Sequence, residues 1–237
     1  MRPNRLPMLC LLAVFIAGPT HAERILAVTE SSSYTYLENG KVSGPATRVV
    51  EATLQKAGLT DYEVTLYPWA RAYDMALREP NVLIYVIART PEREHLFKWV
   101  GKMDDTRPQF YKLADREDIH VGALEEASHY RVGVIRDDMR HQYLEQQGFE
   151  RLVLSAQNSD SFRKLVNGQV DLLPLPEREA RRLAVEANVD FSILQPVFSL
   201  DALSTQLYLA YSVSTSDAIV ERTRQAFEQV RKALPAP

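Results

Sequence analysis

The chain alternates between short β-branched apolar runs and amphipathic helical stretches, in two series split by one polar segment. In the first series "RILAVT" (24–29) reads as a strand. Gly44-Pro45 opens a helix to about Ala57, with Pro45 in the first turn, where a missing N–H costs nothing, and Gly58 ends it. "YEVTLY" (62–67) alternates as a strand does, and Pro68 starts the helix "WARAYDMALR", which stops before Pro80. "VLIYVI" (82–87) is an unbroken apolar run, the pattern of a strand covered on both faces. In the second series "YRVGVI" (130–135), "RLVLS" (151–155), "VDLLPL" (170–175) and "QLYLAYS" (206–212) are strands. Helices fall at 138–147, from Asn158 or Ser159 to Asn167, at 177–187, and from about Ser216 to Leu234. Strand–helix alternation calls for mostly parallel sheets with helices on both faces, an α/β fold.

Between the series lies "GKMDDTRPQFYKLADRED" (101–118), polar at first and extended at "QFYKLA". It reads as a crossover between two α/β lobes, with a second crossover returning the final helix to the first lobe. The expected division is a leader at 1–22, a first lobe at 23–107 and 211–237, and a second lobe at 108–210. Two lobes joined by crossing segments leave a cleft, and open α/β sheets bind ligands outside the carboxyl ends of their strands. "ARTPERE" (88–94), with two arginines and two glutamates, stands at such an end.

The leader is inferred from Arg2 and Arg5, an apolar run at 8–17, the Gly18-Pro19 break and a small residue at Ala22. That is the layout of a cleaved secretory signal, and the run is shorter than the ~20 residues a membrane span needs. The single cysteine, Cys10, lies inside it, so the exported chain is expected to hold no disulfide. The 28 Lys and Arg include Arg2 and Arg5, and the others face 31 Asp and Glu. Such a mildly acidic balance speaks against nucleic acid as a partner. The five histidines show no HxxxH or HExxH spacing, and no GxSxG elbow or phosphate-loop Lys-Ser/Thr appears. No metal, cofactor or enzymatic activity is therefore expected.

In this order, "LENGKVSG", "YPWARAYDMAL", "ARTPEREHLFKW" and "LVNGQVDLLPL", behind a secretory signal, resemble the type II periplasmic solute-binding proteins of the amino-acid-binding class (bacterial solute-binding family 3). The likeness covers nearly the whole exported chain. It implies a two-lobed clamshell that closes on a small polar solute, amino-acid-like or cationic, usually for an ABC importer. It also implies that Arg93 forks onto a ligand carboxylate, a role suited to a planar guanidinium. The family often places a serine where Ala88 stands, a Gly-Thr or Gly-Ser helix start where Asp137-Asp138 stands, and an aspartate where Pro176 stands beside Glu177. An acid pair at a helix start satisfies the helix's own free N–H groups and repels an anion. Asp138 and Glu177 at the cleft would favour a ligand with a cationic part.

Each candidate also has an ordinary role. Arg93 could be a surface salt-bridge partner, and Arg89 is expected to be structural or exposed. Trp69 is a cleft wall or simple packing. Arg71, a cation in a helix's first turn, needs a ligand or an acid beside it. Tyr36, with Tyr34, either covers the ligand or anchors its loop. The expected partner of this monomer is an ABC permease, with a membrane sensor as the alternative and an exported enzyme on the same scaffold as the third reading.

Overall fold

The protein is described here by a computed structural model covering residues 24–233; the expected leader and the end of the expected last helix lie outside them. Strand β1 (Ile25–Thr29) leads through a small hairpin of β2 (Tyr36–Glu38) and β3 (Lys41–Ser43) into helix α1 (Pro45–Lys56). Asn39 and Gly40 turn the hairpin with φ of 51° and 77°, the left-handed pair that a two-residue connection demands. Then come β4 (Tyr62–Leu66), α2 (Trp69–Arg78), β5 (Val82–Ala88), a 3-10 turn at Pro91–Arg93, and β6 (Phe97–Thr106). The second lobe runs through β7 (Pro108–Leu113), α3 (Leu124–Ala127), β8 (Val132–Ile135), α4 (Met139–Gln146), β9 (Leu152–Ser155), α5 (Asn158–Val166), β10 (Leu173–Pro176), α6 (Glu177–Glu186) and β11 (Leu194–Ser199). Strand β12 (Thr205–Ser212) and helix α7 (Asp217–Ala233) return to the first lobe.

The first sheet has the order β4-β1-β5-β12-β6. Its β4-β1-β5 half is parallel, and β12 runs antiparallel to both β5 and β6. Alternation along β5 divides the core. Leu83 and Tyr85 pack with α1 and α7 on one face, and Val82, Ile84 and Ile87 pack with α2 on the other. A Cβ at Gly101 of β6 would run into the Phe227 ring of α7, so this glycine lets the last helix seat on the sheet.

In the second lobe β10-β7-β11 form an antiparallel sheet and β8 pairs in parallel with β9. A bridge from Val132 to Leu172 joins the two sets. Helices α5 and α6 bury Phe162, Leu165, Ala180 and Leu183 against Tyr111 and Leu175. Ala127 and Leu144, from α3 and α4, pack against Phe110 and Val134.

The expected return to the first lobe at residue 211 needs correction. Strand β12 already pairs with the first sheet from Thr205, because its apolar residues Leu207, Leu209 and Ala210 are buried in that sheet. The crossovers therefore lie at Arg107 and at 200–204.

Strand β5 carries an irregularity beside the cleft. Its register against β12 shifts between Tyr208 and Leu209, leaving Val86 as the extra residue, with φ of 60°. A β-branched side chain in that region is strained. The bulge puts Val86 on the same face as Tyr85 and resets the alternation beyond it, so that Ile87 packs with α2 and Ala88 reaches the cleft.

Candidate functional site

The carboxyl ends of the parallel strands of both lobes deliver side chains to one cleft. In the first lobe Glu30 follows β1, Trp69 follows β4 across Pro68, and Ala88 ends β5 just before the turn that carries Arg93. In the second lobe Asp138 and Arg140 follow β8, Asn158 follows β9, and Glu179 lies in the helix after β10. Thr106, Pro108 and Leu207, from beside the crossovers, also line it. The free space is about 100 Å³, room for one small solute.

Arg93 is 1% exposed. Its guanidinium lies over the rings of Trp69 and Tyr73, 5.6 and 5.0 Å from their centroids. Such desolvated cation–π contacts contribute up to ~2 kcal/mol. Its hydrogen bonds are long and go to neutral acceptors: the Ala88 carbonyl at 3.4 Å, the Asp137 carbonyl at 3.5 Å and Gln142 Oε1 at 3.3 Å. Nε has no partner among the described residues. Burial lowers the Arg93 pKa, against the pull of Tyr73, Asp138 and Glu92. A buried guanidinium held only by carbonyls, an amide oxygen and rings has no carboxylate among the described residues within hydrogen-bond reach to match its charge.

The acids across the cleft are unequal. Asp138 caps α4, its Oδ1 accepting the His141 N–H at 2.8 Å, and its Oδ2 takes Arg140 Nε at 2.6 Å. Arg140 also donates to the Pro174 carbonyl at 2.9 Å and to Asn158 Oδ1 at 3.2 Å. Burial opposes the Arg140 charge, yet Asp138 and Glu30 outweigh it and raise its pKa. Glu179 accepts the Ser33 N–H at 2.6 Å and pairs with Arg182 at 2.7 Å. Glu30 is different. Its Oε2 is buried with no partner among the described residues, and burial pushes its pKa up to about 8, with Arg140 and Arg182 working against that and Asp138 and Glu179 adding to it.

The lobes touch across the cleft. Trp69 Nε1–H donates to the Asp137 carbonyl at 3.0 Å, a carbonyl turned by the left-handed φ of 61° at Asp137. The Ser33–Glu179 bond and an ion pair between Arg178 and Asp104 at 3.9 Å add two more ties.

Of the residues singled out in the sequence, Arg93, Trp69, Ala88 and Asp138 line this cleft. The other three do not. Arg71 points outward and stacks on Tyr67, 4.4 Å from the ring centroid, so the cation in the first turn of α2 has an aromatic partner instead of an acid. Tyr36 lines an adjoining groove with Tyr67 and Arg178, while Tyr34 of the same loop reaches the cleft. Glu177 is exposed and pairs with Arg181 one turn along; two residues on, Glu179 occupies the inward face of the helix. Arg89 pairs with Glu94 at the half-exposed surface and lies over Trp99 and Tyr208. The sequence reading missed Glu30, Arg140 and Glu179. Glu30 could have been found by the rule that singled out Arg93, since it directly follows the first strand of the parallel series.

No protein-family model matches the chain, and no curated protein matches it in sequence. Solved structures share its fold. A histidine kinase sensor domain with similarity to periplasmic binding proteins superposes at a TM-score of 0.78 with 19% identity, over 89% of this chain and 91% of that one. An ancestral arginine-binding protein bound to arginine gives 0.75 with 16% identity, over 88% and 92%. The arginine-, lysine-, histidine-binding protein ArtJ from Geobacillus stearothermophilus gives 0.73 with 14% identity, over 89% and 90%. Similarity of this extent establishes a two-lobed fold like that of the periplasmic binding proteins.

Proposed function

We propose that this chain is an exported solute-binding protein. It captures a small solute bearing both an anionic and a cationic group in the interlobe cleft and presents it to a membrane partner. One observation carries the reading: the two buried side-chain atoms without a partner among the described residues, Arg93 Nε and Glu30 Oε2, have opposite charge character and belong to the same cleft. A buried polar group left unmatched costs ~1–3 kcal/mol, and more when charged, so a ligand that satisfies both ends binds with that gain. The other charges are already matched within the chain, Asp138 by Arg140 and Glu179 by Arg182. The arginine-binding proteins that share the fold support an amino-acid-like solute, and the substrate-binding protein of an amino acid ABC transporter, which shares it too, makes an ABC importer the first choice of partner.

A membrane sensor is the second reading, favoured by the histidine kinase sensor domain that shares the fold over most of both chains. In either case the ligand acts by bridging the lobes, because only contacts made better in the closed state shift the equilibrium. Measuring both uptake of the bound solute and transcription in a strain lacking the protein separates the two.

The direct test is isothermal titration of the purified protein with amino acids, polyamines, simple carboxylates and sugars. We expect zwitterions to bind at one site, and Arg93→Ala to weaken them by about tenfold or more, the scale of a lost charge-assisted hydrogen bond. Arg89→Ala should change the affinity by less than about twofold, as for an exposed ion pair. Equal losses from the two substitutions, or tight binding of a sugar that ignores Arg93→Ala, would overturn the proposal.

A further inference from the structure

The cleft's charges bear on where the ligand carries its cation, given the binding role proposed above. In an α-amino acid the ammonium sits on the carbon next to the carboxylate. A carboxylate forked onto Arg93 would therefore bring that ammonium within about 3–4 Å of the fork, where an acceptor has to meet it. The groups around Arg93 are the faces of Trp69 and Tyr73, the Ala88 and Asp137 carbonyls and Gln142. Both carbonyls and Gln142 Oε1 already accept from Arg93 itself. The acid nearest in influence is Asp138, whose two oxygens are taken by the His141 N–H and by Arg140. Glu177 does not line the cleft, and Pro176, which does, has no polar side chain.

The carboxyl group in need of a donor is elsewhere. The charges that shift Glu30 are Arg140, Asp138, Glu179 and Arg182, and those that shift Arg93 include Asp138 and Glu92. Glu30 follows β1 and is not among the groups that touch Arg93, which lies in the turn after β5, so the unmatched acid and the unmatched arginine enter one cleft from different strand ends. Much of the remaining lining is apolar, with Val86, Pro108, Met139, Pro176 and Leu207 among it.

We infer that the cleft selects an ω-cationic carboxylate: a carboxylate at Arg93, an apolar stem along Val86, Met139 and Leu207, and a terminal ammonium or guanidinium donating to Glu30, with no requirement for an α-ammonium. A ligand N–H donating to Glu30 Oε2 takes the place of the proton that burial favours on this carboxyl, so a protonated amine or guanidine suits it and a quaternary ammonium, which has no N–H, does not.

The test compares lysine and arginine with their desamino analogues, which keep the carboxylate and the terminal cation and lack only the α-ammonium. Hexanoate and alanine serve as controls, and all are titrated into the unaltered protein. The desamino compounds should bind within about threefold of their parents, and hexanoate and alanine about tenfold or more weaker, as expected when a buried charge loses its partner. Glu30→Gln should weaken only the ligands with a terminal cation, by a similar factor, and Glu30→Asp should retain part of the discrimination. If removing the α-ammonium costs more than tenfold while Glu30→Gln leaves the parents unaffected, the inference falls and the binding role stands. If no carboxylate with a cation binds in an Arg93-dependent way, both fall.

Discussion

Burial makes the charge of Glu30 costly to the folded chain. Its pKa is pushed up to about 8 by burial, while the unfolded chain titrates it near the ordinary carboxyl value of 4.5. Between those values the folded state holds a proton that the unfolded state has released. The stability this gives is fully present below about pH 4.5 and is lost as pH rises through about 8. Arg140, Arg182, Asp138 and Glu179 face Glu30 and stay in place in Glu30→Gln, so the substitution removes this titration alone. The parent's melting temperature relative to Glu30→Gln should therefore fall from pH 5 to pH 8.5, over a span on the order of 2–4 kcal/mol. Parallel melting curves across that range would show that Glu30 is solvated as an ordinary carboxylate. At this scale the sequence was legible where a residue's distance from a strand end decided its place, as for Arg93, which lines the cleft. It was opaque where rotation about a helix decided it: Glu177 and Glu179 are both acidic and both near the start of α6, and only Glu179 turns inward.

Strand β5 poses the problem one level up. Its apolar run marks it plainly as a covered strand, yet nothing in "VLIYVI" announces a bulge, because the residue at the left-handed position is a valine and not a glycine. Elsewhere the punctuation is visible: Asn39-Gly40 signals the β2–β3 hairpin, which the alternation-based reading passed over because its strands are only three residues each. Strand β6 went unread for a different reason. Its second half, "GKMDDT", is polar enough to pass for a loop, although Met103 and Thr106 are buried within it. The bulge makes a prediction with an unusual sign. At an ordinary strand position glycine is less stable than alanine by ~0.5–1 kcal/mol, whereas at a φ near +60° the order reverses by about the same amount. Val86→Gly should therefore unfold at a higher urea concentration than Val86→Ala, while at neighbouring Ile87 the alanine variant should be the more stable of the pair. Alanine winning at both positions would remove the strain at Val86.

For the whole molecule, alternation in two series carried the two-lobed α/β architecture, but not the strand directions: β4-β1-β5 and β8-β9 are parallel as expected, whereas β10-β7-β11 and both pairings of β12 are antiparallel. The point of return was harder to place, since a strand that completes the first sheet from the far end of the chain looks like any other strand. What no pattern could reveal is how the lobes meet. Trp69, Ser33 and Asp104 of the first lobe touch Asp137, Glu179 and Arg178 of the second. Such bonds between protein groups favour the closed arrangement alongside whatever bias a ligand supplies. Trp69→Phe isolates one tie, keeping an aromatic face over Arg93 while deleting the indole N–H that donates to the Asp137 carbonyl. Losing one such bond costs ~1 kcal/mol, about a fivefold shift from closed toward open. Small-angle scattering should give a larger radius of gyration for Trp69→Phe than for the parent without ligand, and equal values once both are saturated. The variant's affinity should fall by up to about fivefold, because part of the binding energy then restores a contact that the parent already makes. Equal radii without ligand, together with unchanged affinity, would mean that the Trp69–Asp137 bond forms only as a consequence of closure and does not help to drive it.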